Sequence, residues 1–294
     1  MKTTFFARVA AGGLGLGLGL ATAAGAASTV DVANRYAYGA NVGWLDARAN
    51  VTNGAAIGQY FCTGYVWSAN CGWIGLGNGP TNGWNYSNAS AADWGVNHDC
   101  AGYLWGYASG ANVGWITFEQ SWGRPRIDLL TGNLYGYVWS GNVGWISLSN
   151  AQAFVQTGAF FPGPDSDGDG LPDPWELGKA GNLTTLSGGA HDQDDDGSTD
   201  TEEYGADTDP LDDAEAFLIT AYSQSAGTLQ WTTRSTRLYR VESTNQMPIG
   251  TSGAWDAFDA IYGPYSVSPQ EISLPGIPNA THVYRVKAVV PPVE

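Results

Sequence analysis

Two stretches of this chain carry carboxylates at alternate positions on loops punctuated by glycine. They are "DSDGDGLPDPWE", from Asp165 to Glu176, and "DQDDDGSTDTEE", from Asp192 to Glu203. In the first, Asp165, Asp167 and Asp169 stand at positions 1, 3 and 5, Gly170 at 6, Asp173 at 9 and Glu176 at 12. The second repeats the pattern with Asp192, Asp194, Asp196, Gly197, Asp200 and Glu203. A hard cation such as Ca²⁺ needs about six to eight oxygens; alternate carboxylates, a backbone carbonyl at position 7 and a closing bidentate Glu supply them. Position 7 is Leu171 in one loop and Ser198 in the other. The spacing therefore predicts about two bound calcium ions. Without the metal these carboxylates repel one another, so chelation is expected to loosen residues 164–213 while the flanking β regions stay folded.

The same stretch holds the charge imbalance of the whole chain. Between Asp165 and Glu215 there are 17 Asp and Glu against the single Lys179, and the formal charge of the 294-residue chain is −16. The remainder is neutral, with no basic surface for a phosphate backbone, and nucleic acid is not expected as a partner. Followed by "EEYGADTDPLDD", the two loops resemble the thrombospondin type 3-like calcium modules of secreted multidomain bacterial proteins, and are similar to dockerins, which carry two loop-helix calcium repeats. The resemblance covers roughly residues 164 to 213. It implies structural calcium in an exported protein. Pro162 and Pro164 stand where a sensor EF-hand has its entering helix, which favours a structural over a switching ion. Pro174-Trp175 and Thr201-Glu202 stand near the positions where dockerins carry hydroxyl pairs, a departure from the cohesin-binding pattern.

An element that repeats precedes the loops. Aligned on N-x-G-W, the copies are "RYAYGANVGWLDA" from Arg35, "GYVWSANCGWIGL" from Gly64, "GYASGANVGWITF" from Gly106 and "GYVWSGNVGWISL" from Gly136. A supersecondary unit repeated at this spacing is expected to stack on its neighbours. Each copy reads as two short strands about a small-Asn pair, Ala40-Asn41, Ala69-Asn70, Ala111-Asn112 and Gly141-Asn142, with Asn favoured for its left-handed backbone. A two-residue turn there sets Ser140 against Val143, Trp139 against Gly144 and Val138 against Trp145. Tyr137, Trp139 and Ile146 then share one face, and Val138 and Trp145 the other. "RIDLL" and "TGN" before the last copy suggest a three-stranded meander. Both faces are apolar, so burial of both is expected; the alternative is one exposed aromatic face that stacks on sugar rings.

At the N-terminus, Lys2 and Arg8, the run "VAAGGLGLGLGLATAAGA" and Ala24-Gly25-Ala26 give the three-part pattern of a secretory signal, residues 1–27. No later segment is apolar enough to span a membrane, so no span is expected after signal removal. Export permits a disulfide between two of Cys62, Cys71 and Cys100. From Ala216, "FLITAY", "TLQWTT", "LYRVES", "EISLP" and "HVYRVKAVV" alternate at the spacing of a small sandwich, and "LQWTTRSTRLYRVEST" with "YRVKAVV" resembles fibronectin type III-like modules.

The expected fold is mainly β: an antiparallel Trp-rich repeat domain at 28–157, calcium-binding acidic repeats with minor helix at 164–213, and a β-sandwich at 214–294. No catalytic motif is legible. His98 and Cys100 could share a strand face, and Asp93, Asp99, Glu119 and Asp128 are the carboxylates available for glycosidase chemistry, but neither set has a recognisable partner. The sequence thus predicts an exported, non-enzymatic modular protein with a structural or adhesive role at the cell surface or in the extracellular matrix. Its partner is expected to be polysaccharide or another surface protein, and the alternative is a carbohydrate-binding or glycan-processing module.

Overall fold

The structure is a computed structural model that describes residues 27–244, 255–273 and 283–292. The expected signal at 1–27 lies, but for its last residue, outside the described residues, as does His282. The fold is mainly β and antiparallel. The chain divides into two compact units, one holding residues 27–168 and 172–181, the other 169–171 and 182–290, so the division runs through the acidic segment.

The first unit is a barrel. Its walls are β1 (Val30–Gly39), β2 (Gly43–Asp46), β3 (Tyr65–Ser68), β4 (Gly72–Gly75), β6 (Leu104–Gly110), β7 (Gly114–Thr117), β10 (Tyr137–Ser140) and β11 (Gly144–Ser147). Each pairs with the next, and β11 pairs back onto β1 through Tyr38↔Ser147 and Gly39↔Ile146, which closes the ring. Closure removes the exposed edges that short hairpins would otherwise present. The expected meander is corrected: β8 (Arg126–Ile127) and β9 (Leu134–Tyr135) form a separate two-stranded sheet that is not part of the barrel wall. Gly136 separates β9 from β10 at φ +87, where a Cβ would lie 2.3 Å from the Arg124 carbonyl oxygen, so the chain bends sharply there. The repeating unit is a two-stranded hairpin, and the residues between hairpins add side chains such as Ile57, Leu76, Val96, Phe118 and Leu134 to the same core. β5 (Val96–His98) adds to β6, and β12 (Val155–Thr157) to β1.

The hairpin turn also differs from its sequence reading. Gly39 pairs with Gly43, Ser68 with Gly72, Gly110 with Gly114 and Ser140 with Gly144, leaving three residues in each loop. The left-handed residue is the glycine after the loop, at φ +74, +80, +70 and +76, and none of the four asparagines has positive φ. This is the three-residue loop in which a turn is followed by a left-handed glycine. One extra loop residue shifts the register, so Trp139 faces Trp145 and Val138 faces Ile146. The two tryptophans expected on opposite faces stand on the same one, and Gly144 faces Ser140 in place of Trp139.

The asparagines instead act through their side chains. Asn70 Nδ2 donates to the Val42 carbonyl at 3.0 Å, Asn112 to Cys71 at 3.2 Å, Asn142 to Val113 at 3.1 Å and Asn41 to Val143 at 3.1 Å. Each hairpin tip is tied to the one before it, and the first to the last. Inside, Ala37 opposes Leu45, Val66 Ile74, Ala108 Ile116 and Val138 Ile146, a smaller residue against a larger one in every hairpin. They fill the barrel around an apolar cavity of about 70 Å³.

Of the three cysteines, Cys62 and Cys71 are buried and no two are joined by a disulfide. Burial pushes the Cys62 thiol up to about 12, which leaves it inert as a nucleophile.

In the second unit, β13 (Ile219–Ser223), β14 (Thr228–Trp231) and β17 (Gln270–Ser273) form one sheet, and β15 (Leu238–Thr244), β16 (Asp256–Tyr262) and β18 (Val283–Val289) another. Trp231, Tyr239, Val241 and Val286 bury between them with the side chain of Phe217.

Two substitutions test the turn. Gly144→Ala should cost about 1 kcal/mol through its left-handed backbone alone, because the nearest atom to the new Cβ, Asn41 Nδ2, is 3.7 Å away. Asn142→Asp keeps size and turn preference but turns the donor into an acceptor facing a carbonyl, and should cost about 1–3 kcal/mol. Denaturant melts measure both. A wild-type melt for Asn142→Asp would show that the ring of side-chain bonds does not hold the hairpins together.

Candidate functional site

The second acidic loop lies wholly within the C-terminal unit. Asp192, Asp194 and Asp196 bring carboxylate oxygens within 4.8 Å of one another. The turn that gathers them is hydrogen-bonded by the carboxylates themselves: Gly197 N donates to Asp192 at 3.0 Å and Ser198 N to Asp196 at 2.6 Å. Gly197 at φ +95 takes the chain round the corner. Thr199 then caps α2 (Asp200–Ala206) in a reciprocal pair with Glu202, which places Glu203 one turn into the helix and facing the loop's residues.

Glu203 is 1% exposed. Its Oε1 accepts from Thr208 Oγ1 at 3.0 Å, and its Oε2 has no hydrogen-bond partner, as is true of one oxygen on each of Asp192, Asp194 and Asp196. Burial, together with the charges of Asp194, Asp196 and Asp200, pushes the Glu203 carboxyl up to about 8. Burial also raises Asp194 above the usual carboxylate range. Four acidic side chains with unpartnered, partly desolvated oxygens suit a hard divalent cation, which supplies the charge they lack. Asp192, Asp194, Asp196 and Glu203 could hold it, with the Ser198 carbonyl as the backbone ligand the loop spacing calls for.

Asp200, at position 9, does something the sequence pattern does not disclose. It is fully buried, and its carboxylate accepts from Gln193 N at 3.0 Å, Ser187 N at 2.8 Å and His191 Nδ1 at 2.8 Å. In the first loop Asp173 likewise accepts from Ser166 N at 2.7 Å and Ser166 Oγ at 2.5 Å. Both position-9 residues clamp the amide at position 2. The first loop brings Asp165, Asp167 and Asp169 oxygens within 4.8 Å of one another, Gly168 N donates to Asp165 at 2.8 Å, and Glu176 and Leu171 are buried. Glu176 stands on α1 (Asp173–Lys179).

The second loop is anchored to the sandwich core. Arg237, 2% exposed, donates from Nε to the Gly205 carbonyl at 2.9 Å and from Nη2 to the Tyr204 carbonyl at 2.7 Å, while Asp207 at the end of α2 bonds Thr236 Oγ1. A buried guanidinium caps the free carbonyls of the helix that carries Glu203. Ala206 on the same helix packs into the core of the C-terminal unit. The expectation that metal removal would leave this β region untouched is therefore revised: here the loop and the sandwich share structure.

The barrel's outer face is the second surface of interest. The tryptophans are exposed, which corrects the expectation of burial on both faces: Trp44, Trp67, Trp73, Trp115, Trp139 and Trp145 keep between 37% and 50% of their surface in solvent. Trp67 and Trp73 stand with ring centroids 4.8 Å apart and Tyr38 and Trp44 at 4.9 Å; Trp139 faces Trp145 in the same register. In every copy the tyrosine two residues earlier on the first strand meets the second-strand tryptophan edge-on. The pairs are Tyr36–Trp44, Tyr65–Trp73, Tyr107–Trp115 and Tyr137–Trp145, at 6.0 to 6.3 Å. The third copy has Ser109 where the others have a ring, and Trp94 packs edge-on against Trp115 at 5.2 Å instead.

The residues singled out for catalysis serve the backbone. His98 is buried with Nδ1 on the Gly58 carbonyl at 2.8 Å, and Cys100 Sγ donates to the next carbonyl, Gln59, at 3.0 Å; burial lowers the imidazole's basicity. Asp93 accepts from the amides of Thr81 and Ser87, Asp99 from Ala101 and Tyr103, Glu119 from Ser121 and Gly123, and Asp128 from Leu130 and Thr131. The Ser87 bonds hold Asp93, and the Gly123 amide holds Glu119, below the usual carboxylate range, the opposite of what a general acid needs.

Comparison of the chain with models of protein families, with curated proteins and with solved structures finds no match. No helix among the described residues is long and apolar enough to cross a membrane.

Two measurements test the candidate metal centre. Calcium at about 100 times its dissociation constant adds roughly 2.7 kcal/mol to whatever folds with the loop, so chelation should lower the melting temperature of the C-terminal unit, and Asp192→Ala or Glu203→Gln should remove that shift. A melt of the C-terminal unit indifferent to chelator would show that the loop is a solvated linker.

Proton linkage is the second measurement. Glu203 titrates at about 8 in the folded chain against an ordinary value of 4.5. The metal-free fold therefore binds a proton that the unfolded chain has released, and loses stability as the pH rises from about 4.5 to 8. Bound calcium needs the carboxylate, so its affinity should rise over the same window with release of protons. Calorimetry in buffers of different ionisation enthalpy reads this directly; pH-independent binding between about pH 5 and 8 would remove Glu203 from the ligand set.

Proposed function

We propose that this chain is an exported, non-enzymatic attachment protein whose barrel holds carbohydrate on its outer aromatic surface and whose acidic loops are stabilised by calcium. The observation that carries this reading is the exposure of six hairpin tryptophans in register on the outside of a closed barrel. Trp175 and Trp231, by contrast, are 1% and 0% exposed, and the other exposed tryptophans, Trp84, Trp105 and Trp122, lie outside the hairpin register. Leaving indoles in water forgoes the burial that aromatic side chains ordinarily contribute to a core. A ligand with broad, weakly polar faces recovers it, and a pyranose ring has such a face. The rings are held by edge-on contacts with their neighbours, so little side-chain freedom is lost on binding.

The wall strands that carry the rings, apart from β1 and β6, are four residues long, whereas a strand crossing a bilayer needs about nine to eleven. The inward faces are apolar and packed, so the barrel encloses a core in place of a channel. Both facts favour a water-facing binding surface over a membrane pore.

The test is retention of the calcium-loaded chain on insoluble polysaccharides. Replacing Trp73, Trp115 and Trp145 together by Ala should weaken retention by about tenfold or more, at about 1 kcal/mol per stacked ring, with the calcium-binding heat unchanged. Absence of retention on plant, algal and bacterial glycans alike would refute the carbohydrate reading and leave a protein partner as the alternative.

A further inference from the structure

The aromatic surface is divided, and the division has a consequence for what it binds. Each hairpin carries its own cluster of three rings: Tyr36, Tyr38 and Trp44 in the first, with the second and fourth built alike. The third completes its cluster with Trp94. Between hairpins, strand pairing places a small or polar residue beside the next cluster: Asp46 opposite Trp67, Gly75 opposite Ser109, Thr117 opposite Trp139 and Ser147 opposite Tyr38. Trp94 bridges the second and third clusters, its indole and the Tyr65 ring lying 3.3 and 3.4 Å from where a Gly75 Cβ would be, while the other junctions keep the rings from merging into one belt. Because eight strands close into a ring and each hairpin occupies two of them, successive clusters lie a quarter of the circumference apart and face four directions.

Charge complementarity narrows the ligand. From the tyrosine of each copy to the end of its second strand, the only ionised side chain is Asp46, and Arg35 neutralises it at 3.3 Å. Arg35 also donates to the Tyr36 hydroxyl at 2.9 Å at the edge of the first cluster, so its charge is already engaged; the hairpins offer no further cation to a uronic acid or sulfate ester, and an acidic chain brought there would lose hydration without a counter-charge. An uncharged polyhydroxyl chain loses nothing of the kind.

Resting on the carbohydrate reading above, we propose that the clusters are distinct subsites for uncharged glycan chains, the second and third adjoining at Trp94, and that one protein molecule bridges two or more chains. A flat crystalline glycan surface meets at most the clusters on one side of the barrel, whereas free chains reach all four. Multivalent attachment of this kind gains avidity from sites that are individually weak, provided the chains can reach them together. The product is a cross-linked matrix of neutral polysaccharide.

Titration calorimetry of the full calcium-loaded chain with cellohexaose, mannohexaose and hexagalacturonate tests both parts. At least one neutral hexasaccharide should bind with a stoichiometry above one, little affected by salt. The double variant Trp67→Ala with Trp73→Ala should lower that stoichiometry by one and leave the affinity of the remaining sites within about twofold. Mixed with a soluble neutral polysaccharide, the wild-type chain should raise its viscosity. A stoichiometry of one, or loss of all binding in the double variant, overturns the separate-subsite inference while leaving carbohydrate binding intact. Preference for hexagalacturonate overturns the uncharged class. No binding to any of the three, or partition of the chain onto phosphatidylcholine vesicles in their place, overturns the carbohydrate reading itself. The wild-type stoichiometry decides the matter even if the double variant does not fold.

Discussion

The left-handed backbone at Gly43, Gly72, Gly114 and Gly144 fixes the register of each hairpin, and the register decides which side chains enter the barrel. A shift of one residue in a strand exchanges its two faces. With the left-handed residue after the loop, the Ala/Leu and Val/Ile pairs point inward and the indoles point outward. Had the asparagine held that conformation, each hairpin would have put its second-strand tryptophan (Trp44, Trp73, Trp115 or Trp145) on the face of Ala37, Val66, Ala108 or Val138, and an eight-stranded barrel has no room for four indoles in its interior. The asparagine, freed from a backbone role, spends its amide on the neighbouring hairpin. Turn, closure and the exposed rings are thus consequences of one conformational choice made four times.

The acidic loops obey a different constraint. Their carboxylates are brought together by backbone amides from the loop itself and by helix α2, whose position is fixed by Arg237 and by burial of Ala206. The fold therefore supplies the close approach of like charges before any cation arrives, and the unfavourable electrostatics appear as the raised titration of Glu203 and Asp194. A divalent ion converts that penalty into attraction. Because α2 belongs to the sandwich unit, any such gain would reach β structure that supplies none of these acidic side chains.

Much of this was legible in the residues and some was not. The repeat phrase, its strand pair, the acidic loops and the mainly β class follow from spacing and alternation. The register did not, because Ala-Asn and Val-Gly are both acceptable turn pairs and sequence alone does not say whether the loop holds two residues or three; the glycine retained after Val42, Cys71, Val113 and Val143 was the available signal. The role of Asp200 was hidden by its match to a ligand position: a carboxylate at position 9 serves either a cation or an amide, and only the geometry shows the amides of Gln193 and Ser187 on it. Arg237 carried no motif. Its capping of α2 depends on residues some 32 positions apart in the chain, a pairing that no local pattern encodes.

The third hairpin bears on what the outer rings are for. Ser109 removes one ring from the cross-strand pair, and the residues between β4 and β6 bring Trp94 to the same indole from outside the repeat. A core requirement does not explain this, since Ala108 and Ile116 seal the interior of that hairpin as their counterparts do in the others. Trp94 also lies over Gly75, 3.3 Å from where a Cβ would be, so a larger residue there would displace it. Three rings are thus assembled at each quarter of the barrel by two different routes. A surface whose composition is kept while its construction varies is defined by what it presents outward, and what it presents is a rigid, uncharged aromatic cluster that the protein's own fold leaves half in water.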